Sequence, residues 1–156
     1  MEEAAIRAIT IRTKIDLHCL SFAVRSGILF ITLPTGRQLA YVQPRLGENR
    51  WCGTSINYWG VGTGKKWQKL ETYGGKLVEN IVQAIARDLL THALELLDDA
   101  GHKIVMHVHD EAVIEEPLTS SATVKKICQL MATPPAWADG LPLDADGYEC
   151  AFYKKD

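Results

Sequence analysis

At 156 residues, with 47% hydrophobic and 23% charged side chains, the chain has the size and composition of one soluble globular domain with its own core. No apolar run reaches the roughly 18 residues of a membrane span, and Met1-Glu2-Glu3 lacks the basic-then-apolar plan of a signal peptide, so a cytoplasmic location with no membrane contact is expected. A net charge of −2 argues against a generic nucleic-acid-binding tail.

Residues 2–15 predict a short helix with Ala4, Ala5, Ile6, Ala8 and Ile9 on its apolar side. Three strands follow, Leu20 to Val24, Ile28 to Leu33 and Gln38 to Val42, divided by turn residues at Ser26-Gly27 and Pro34-Thr35-Gly36. Alternating apolar positions between such turns make a β-meander. The third strand is expected to end at Pro44, with 44–53 a loop, Thr54 to Val61 a fourth strand, and the Gly- and Lys-rich 62–66 a further loop.

The longest helix is expected from Lys76 to Ala100, with Gly101 as its stop. Leu77, Val78, Ile81, Val82, Ile85 and Leu89 recur at the helical period as one apolar face. Lys76, Asn80, Gln83 and Arg87 share a stripe on another face. Helix propensity does not require that grouping; it suits a phosphate-sugar backbone or a base edge, and it also suits plain solvation.

Ile104 to Val108 and Ala112 to Glu115 read as a hairpin that holds Asp110 and Glu111 at its tip, and Pro117 closes the second strand. Thr119 or Ser120 is the expected cap of a helix running to Met131, with Ile127, Leu130 and Met131 facing the core. Thr133 to Leu141 reads as a loop and Gly147 to Tyr153 as a final strand. The order meander, long helix, hairpin, helix, strand is α+β, an antiparallel sheet with the acidic hairpin packed against a long helix.

Charge divides along the chain. Residues 1–76 carry 11 Lys and Arg against 5 Asp and Glu, whereas residues 77–156 carry 6 against 14. Basic groups toward phosphate and carboxylates toward metal fit a nucleic-acid enzyme that uses cations. The cysteines Cys19, Cys52, Cys128 and Cys150 have no CxxC spacing and are expected to be reduced thiols. Two adjacent carboxylates at a rigid tip suit Mg²⁺, which takes one or two carboxylates plus substrate phosphates. Asp is also common at hairpin tips because it tolerates turn geometry.

The segment Val105-Met106-His107-Val108-His109-Asp110-Glu111-Ala112-Val113-Ile114 resembles motif C of the family A, DNA polymerase I-like, DNA polymerases. Further stretches extend the resemblance from Leu20 to the last residue. They are Leu33-Pro34-Thr35-Gly36-Arg37, Trp67-Gln68-Lys69, Glu71-Thr72-Tyr73-Gly74-Gly75-Lys76, Pro134-Pro135-Ala136-Trp137 and Asp146-Gly147-Tyr148-Glu149-Cys150. In order, they look like the C-terminal end of phage and prophage family A polymerases. The resemblance implies a partial polymerase palm over 20–156, after an N-terminal helical segment at 1–19. It implies Asp110 and Glu111 as catalytic and metal-binding, His109 near the primer end, and Gln83, Arg87, Asn80 and Lys76 on the DNA. Mg²⁺, primer-template DNA and dNTP follow as cofactor and partners, in the cytoplasm of a bacterial host.

The sequence departs from that family in one respect. Motif A, whose Asp bridges both metals, and motif B, a fingers helix with Lys and Tyr, have no counterpart, and Asp16-Leu17-His18 lacks the motif A context. The chain reads as about the last quarter of such an enzyme, which would need an upstream half in trans. A palm sheet without its motif A strand would have an open edge, which favours self-association. Two alternatives remain: a non-catalytic DNA-binding remnant, and a small metallohydrolase using His107, His109 and Asp110 with Zn²⁺ or Fe²⁺.

Overall fold

A computed structural model describes residues 1–48 and 53–153. It comprises two compact units, Met1–Ile85 and Ala86–Asp156.

The first unit is a six-stranded antiparallel meander with a helix at each end of its sequence. After α1 (Glu2–Ile11) come β1 (Ile15–Leu17), β2 (Leu20–Arg25), β3 (Ile28–Thr32), β4 (Gln38–Glu48), β5 (Thr54–Val61) and β6 (Trp67–Thr72), each paired with the next. Local turn chemistry sets that order. Ser26 and Gly27, both at positive φ (49° and 75°), close a two-residue loop between the paired Arg25 and Ile28. Leu33 N–H donates to the Arg37 carbonyl at 2.8 Å and Gly36 N–H to the Leu33 carbonyl at 2.9 Å, with Gly36 at φ 85°. The sheet's inner face contributes Leu20, Phe22, Leu29, Ile31, Leu33, Tyr41 and Ile56 to the core. Ala4, Ala5 and Ala8 of α1 pack there, and their small side chains bring the helix axis close to the sheet. Leu77, Ile81 and Ala84 belong to the same core and lie on α2 (Gly74–Asp99).

Several elements differ from expectation. The first helix ends at Ile11, where Arg12 turns left-handed at φ 52°, so Ile15 enters a strand. The third long strand passes through Pro44 instead of stopping there. The register slips between Val42 and Arg45, with Gln43 at φ 49°, and a bulge is where a strand tolerates a residue without an N–H. Of the loop expected at 44–53, residues 49–52 lie outside the described residues. The strand β6 has no counterpart among the elements expected from sequence. On α2, Val78 and Val82 are exposed, and Ala84 takes the buried position.

In the second unit, α2 ends in a Schellman motif. His102 N–H donates to the Leu97 carbonyl at 3.0 Å and Gly101 N–H to the Asp98 carbonyl at 2.8 Å, with Gly101 at φ 85°. Then β7 (Lys103–Val108) and β8 (Glu111–Glu115) form a two-stranded sheet of their own, separate from the six-stranded one. Helix α3 (Val124–Met131) is capped by Thr123, whose hydroxyl accepts from Lys126 N–H at 3.3 Å. Ser120, one of the expected caps, instead accepts from Ala122 N–H at 3.1 Å within the preceding turn. A single 3₁₀ turn covers Ala136–Ala138.

The final strand expected at 147–153 does not form. Asp144 and Asp146 accept hydrogen bonds from the next residues' N–H groups, Ala145 at 2.9 Å and Gly147 at 2.8 Å. Such local bonds compete with a ladder. Cys19, Cys128 and Cys150 are free thiols, and Cys52 lies outside the described residues. Among the described residues no helix is long and apolar enough to cross a membrane.

Candidate functional site

The hairpin β7–β8 turns through two residues, His109 and Asp110, between the paired Val108 and Glu111. His109 has φ 53° at the first loop position, where a two-residue hairpin commonly places glycine. A non-glycine residue there holds local strain. His107 lies in β7 whereas His109 belongs to the turn, so the two do not alternate along one strand face. Asp110 sits at the tip and Glu111 opens β8; both are exposed.

A bulge fixes which side chains share a face. Ile104 pairs with Ile114 but Met106 pairs with Val113, so Val105 is the extra residue. Paired residues point the same way and neighbours alternate. His107 and Ala112 therefore occupy one face, and Val108 and Glu111 the other.

On the first of these faces, Arg87 of α2 meets His107. Nη1 lies 3.3 Å from Nδ1 and Nη2 lies 3.4 Å from Nε2. Each of the two terminal guanidinium nitrogens therefore faces one ring nitrogen of His107. At the base of the hairpin, Lys103 pairs with Glu115 across the strands. His102 Nδ1 lies 2.5 Å from Glu116 Oε1. That contact with His102, with a further hydrogen bond from Ser120, holds the Glu116 carboxyl below its usual range.

The remaining stripe residues are spread along α2. Lys76 is ion-paired with Glu79 at 3.1 Å, and this contact raises its pKa. Asn80 Nδ2 donates to the Tyr41 hydroxyl at 3.1 Å. Burial is the larger influence on Tyr41 and pushes its phenol upward. Nearby, Arg37 donates to the Ala84 carbonyl at 2.6 Å. Gln83 is exposed. The amide of Asn80 thus has a partner inside the first unit, whereas Lys76 and Gln83 face solvent.

Two exposed carboxylates can supply a hard cation with part of its oxygen shell, leaving the rest to phosphates and water. They are too few for a closed protein cage. His107, His109 and Asp110 do not gather as the metallohydrolase reading requires: among the described residues, no three His, Cys, Asp or Glu side chains could hold a metal ion together. Sequence reasoning gave His107 no role beyond that cluster. Its contact with Arg87, 20 residues away, leaves no local pattern to find.

Comparison with known proteins adds one relative. The chain is 50% identical over 158 aligned residues to a DNA polymerase of Bacillus phage SP02, covering 100% of this chain and 24% of that protein. The chain thus spans about a quarter of the length of the curated relative it matches. No protein-family model matches the chain. No solved structure matches it.

Proposed function

We propose that this chain is the C-terminal palm portion of a phage-type family A DNA polymerase and takes part in template-directed nucleotidyl transfer during DNA replication. The carrying observation is 50% identity across its whole length to a protein named DNA polymerase. The acidic hairpin supports the reading chemically, with Asp110 and Glu111 exposed at one end of a two-stranded ribbon. The palm is assigned to residues 20–156, and the setting to the cytoplasm of a phage-bearing bacterium.

Asp110 and Glu111 would hold Mg²⁺, which when bound stabilises charge on the transferred phosphoryl group. His109, in the turn beside them at φ 53°, would offer its imidazole to the primer end. Arg87, Gln83, Asn80 and Lys76 would contact the primer-template duplex from α2, positioning it without reading sequence. The incoming dNTP supplies the phosphates that complete the cation's shell. The bridging carboxylate and the nucleotide-gripping helix must come from polypeptide outside these 156 residues.

The test is primer extension with Mg²⁺ and all four dNTPs by this chain together with the upstream portion of an SP02-type polymerase. Extension should need both polypeptides. Asp110→Ala should lower it by more than about 100-fold, since removing the supporting partners around a metal ligand already costs about 10–100-fold. Extension that survives Asp110→Ala would refute the assignment. Duplex binding without extension, sensitive to Gln83→Ala and Arg87→Ala, would favour a non-catalytic DNA-binding module.

A further inference from the structure

The outward face of β5 and β6 carries a feature that the hairpin chemistry does not use. Trp59 and Trp67 are 39% and 59% exposed there, which is unusual for the largest apolar side chain. Register explains the arrangement. Tyr58 packs against the core, so its neighbour Trp59 points the other way. Trp67 pairs with Val61, two residues along from Trp59, and so shares its face. The two indoles are diagonal neighbours on adjacent strands, about 7–8 Å apart at their Cα atoms.

Cations surround the pair. Lys69 sits directly opposite Trp59, and Arg45 pairs with Asn57 on the same face. Lys65 and Lys66 lie in the turn between the strands, and all four cations are exposed. Among the described residues none of the four belongs to an ion pair. The turn has the bonding of the 33–37 loop. Gly62 N–H donates to the Lys66 carbonyl at 3.0 Å and Lys65 N–H to the Gly62 carbonyl at 2.9 Å. Its left-handed position, Gly36 in that loop, is here taken by Lys65 at φ 54°. A lysine thus occupies a position where glycine is the relaxed choice.

We propose that this face binds single-stranded DNA, with bases stacked on Trp59 and Trp67 and phosphates held by Lys65, Lys66, Lys69 and Arg45. Flat aromatic surfaces interleaved with cations are the elements by which proteins hold single strands without reading sequence. The face carries these four cations against one exposed carboxylate, Glu71 opposite Asn57, so a purely apolar partner would desolvate an excess of positive charge and charge favours a polyanion. The choice of DNA over RNA rests on the polymerase reading.

The experiment is fluorescence anisotropy of the full chain with labelled oligo(dT) of about 20 nucleotides, longer than one typical single-strand site, across a salt series. Trp59→Ala and Trp67→Ala should each weaken binding about tenfold. Trp59→Phe and Trp67→Phe should recover most of it, which separates stacking from a folding defect. Replacing Lys65, Lys66 and Lys69 with Ala should flatten the log–log salt dependence by about 0.7 for each phosphate that is no longer neutralised.

Binding unchanged in the double Trp→Ala variant would overturn the proposal. So would tighter binding to oligo(U) than to oligo(dT), or self-association through the Trp pair in a chain that binds no DNA. Trp-dependent oligo(dT) binding by a chain that supports no primer extension would uphold this surface and refute only the polymerase reading.

Discussion

Arg87 and Glu111 engage the acidic hairpin on opposite faces. Arg87 contacts both ring nitrogens of His107, whose strand partner is Ala112, while Glu111 shares the other face with Val108. The guanidinium therefore supports the ribbon from behind and does not neutralise the Glu111 carboxylate. A cation and a carboxylate that sound complementary in sequence are kept apart by the two-residue period of a strand.

Arg87→Ala should accordingly loosen the hairpin without emptying it of charge. A side-chain hydrogen bond of this kind contributes about 0.5–1.5 kcal/mol. Amide hydrogen exchange across β7 and β8 should speed up several-fold, and Mn²⁺ affinity at the tip should stay close to that of the parent. Arg87→Lys should behave much like Ala, because one ammonium cannot reach both ring nitrogens as the forked guanidinium does. Full rescue by Lys would show that charge alone matters here.

His109 at φ 53° gives a second test. A non-glycine residue in this region costs about 1–3 kcal/mol, and glycine gives back about 0.5–1 kcal/mol through its unfolded-state entropy. His109→Gly should leave the urea-unfolding free energy unchanged or raise it by up to about 2.5 kcal/mol. Primer extension in the two-polypeptide assay should still fall, since the imidazole is gone and the tip carboxylates are less firmly aimed. A stability decrease above about 1 kcal/mol would mean that the ring makes an interaction worth more than the strain.

How much of this could be read in advance depended on whether the deciding interaction was local. Ser26-Gly27, Gly36 and Gly101 announce their turns because only a few residue types adopt positive φ cheaply. Asp110 could be placed at a tip because apolar alternation stops on one side of it and resumes on the other. The continuation of β4 through Pro44 could not be foreseen, since it depends on a bulge at Gln43 that the residue type does not advertise. The strand expected from Gly147 to Tyr153 is absent, and the Gly147 N–H at its start is taken by the Asp146 side chain. Val82 repeats at the helical period yet lies exposed, because period alone marks a face without saying where the core begins.

Acid should weaken the second unit through Glu116. Its carboxyl is held below the ordinary value chiefly by the hydrogen bond to His102. A depressed carboxylate stabilises the fold above its unfolded value, and that contribution disappears as pH falls through the folded value. Tm should therefore drop between about pH 5 and about pH 3, around the ordinary carboxylate range. Glu116→Gln should lower Tm at neutral pH and flatten the acid limb. An unchanged acid limb in that variant would assign the titration to another carboxylate.

The open edges of β7 and β8 carry the last prediction. Among the described residues each strand has one strand partner, which leaves the outer edge of each without a ladder. The bulged Val105 is 49% exposed and its neighbour Met106 38% exposed, so one stretch offers apolar side chains as well as free ladder positions. An isolated two-stranded hairpin is marginal in water, and a further strand is the ordinary remedy. In the absence of the upstream polypeptide, that strand is expected to come from a second copy of this chain. Light scattering should then show concentration-dependent dimers, Val105→Lys should shift them to monomers, and the upstream polypeptide should do the same by competing for the edge. A clean monomer at high protein concentration would show that the hairpin edges are protected within the chain itself.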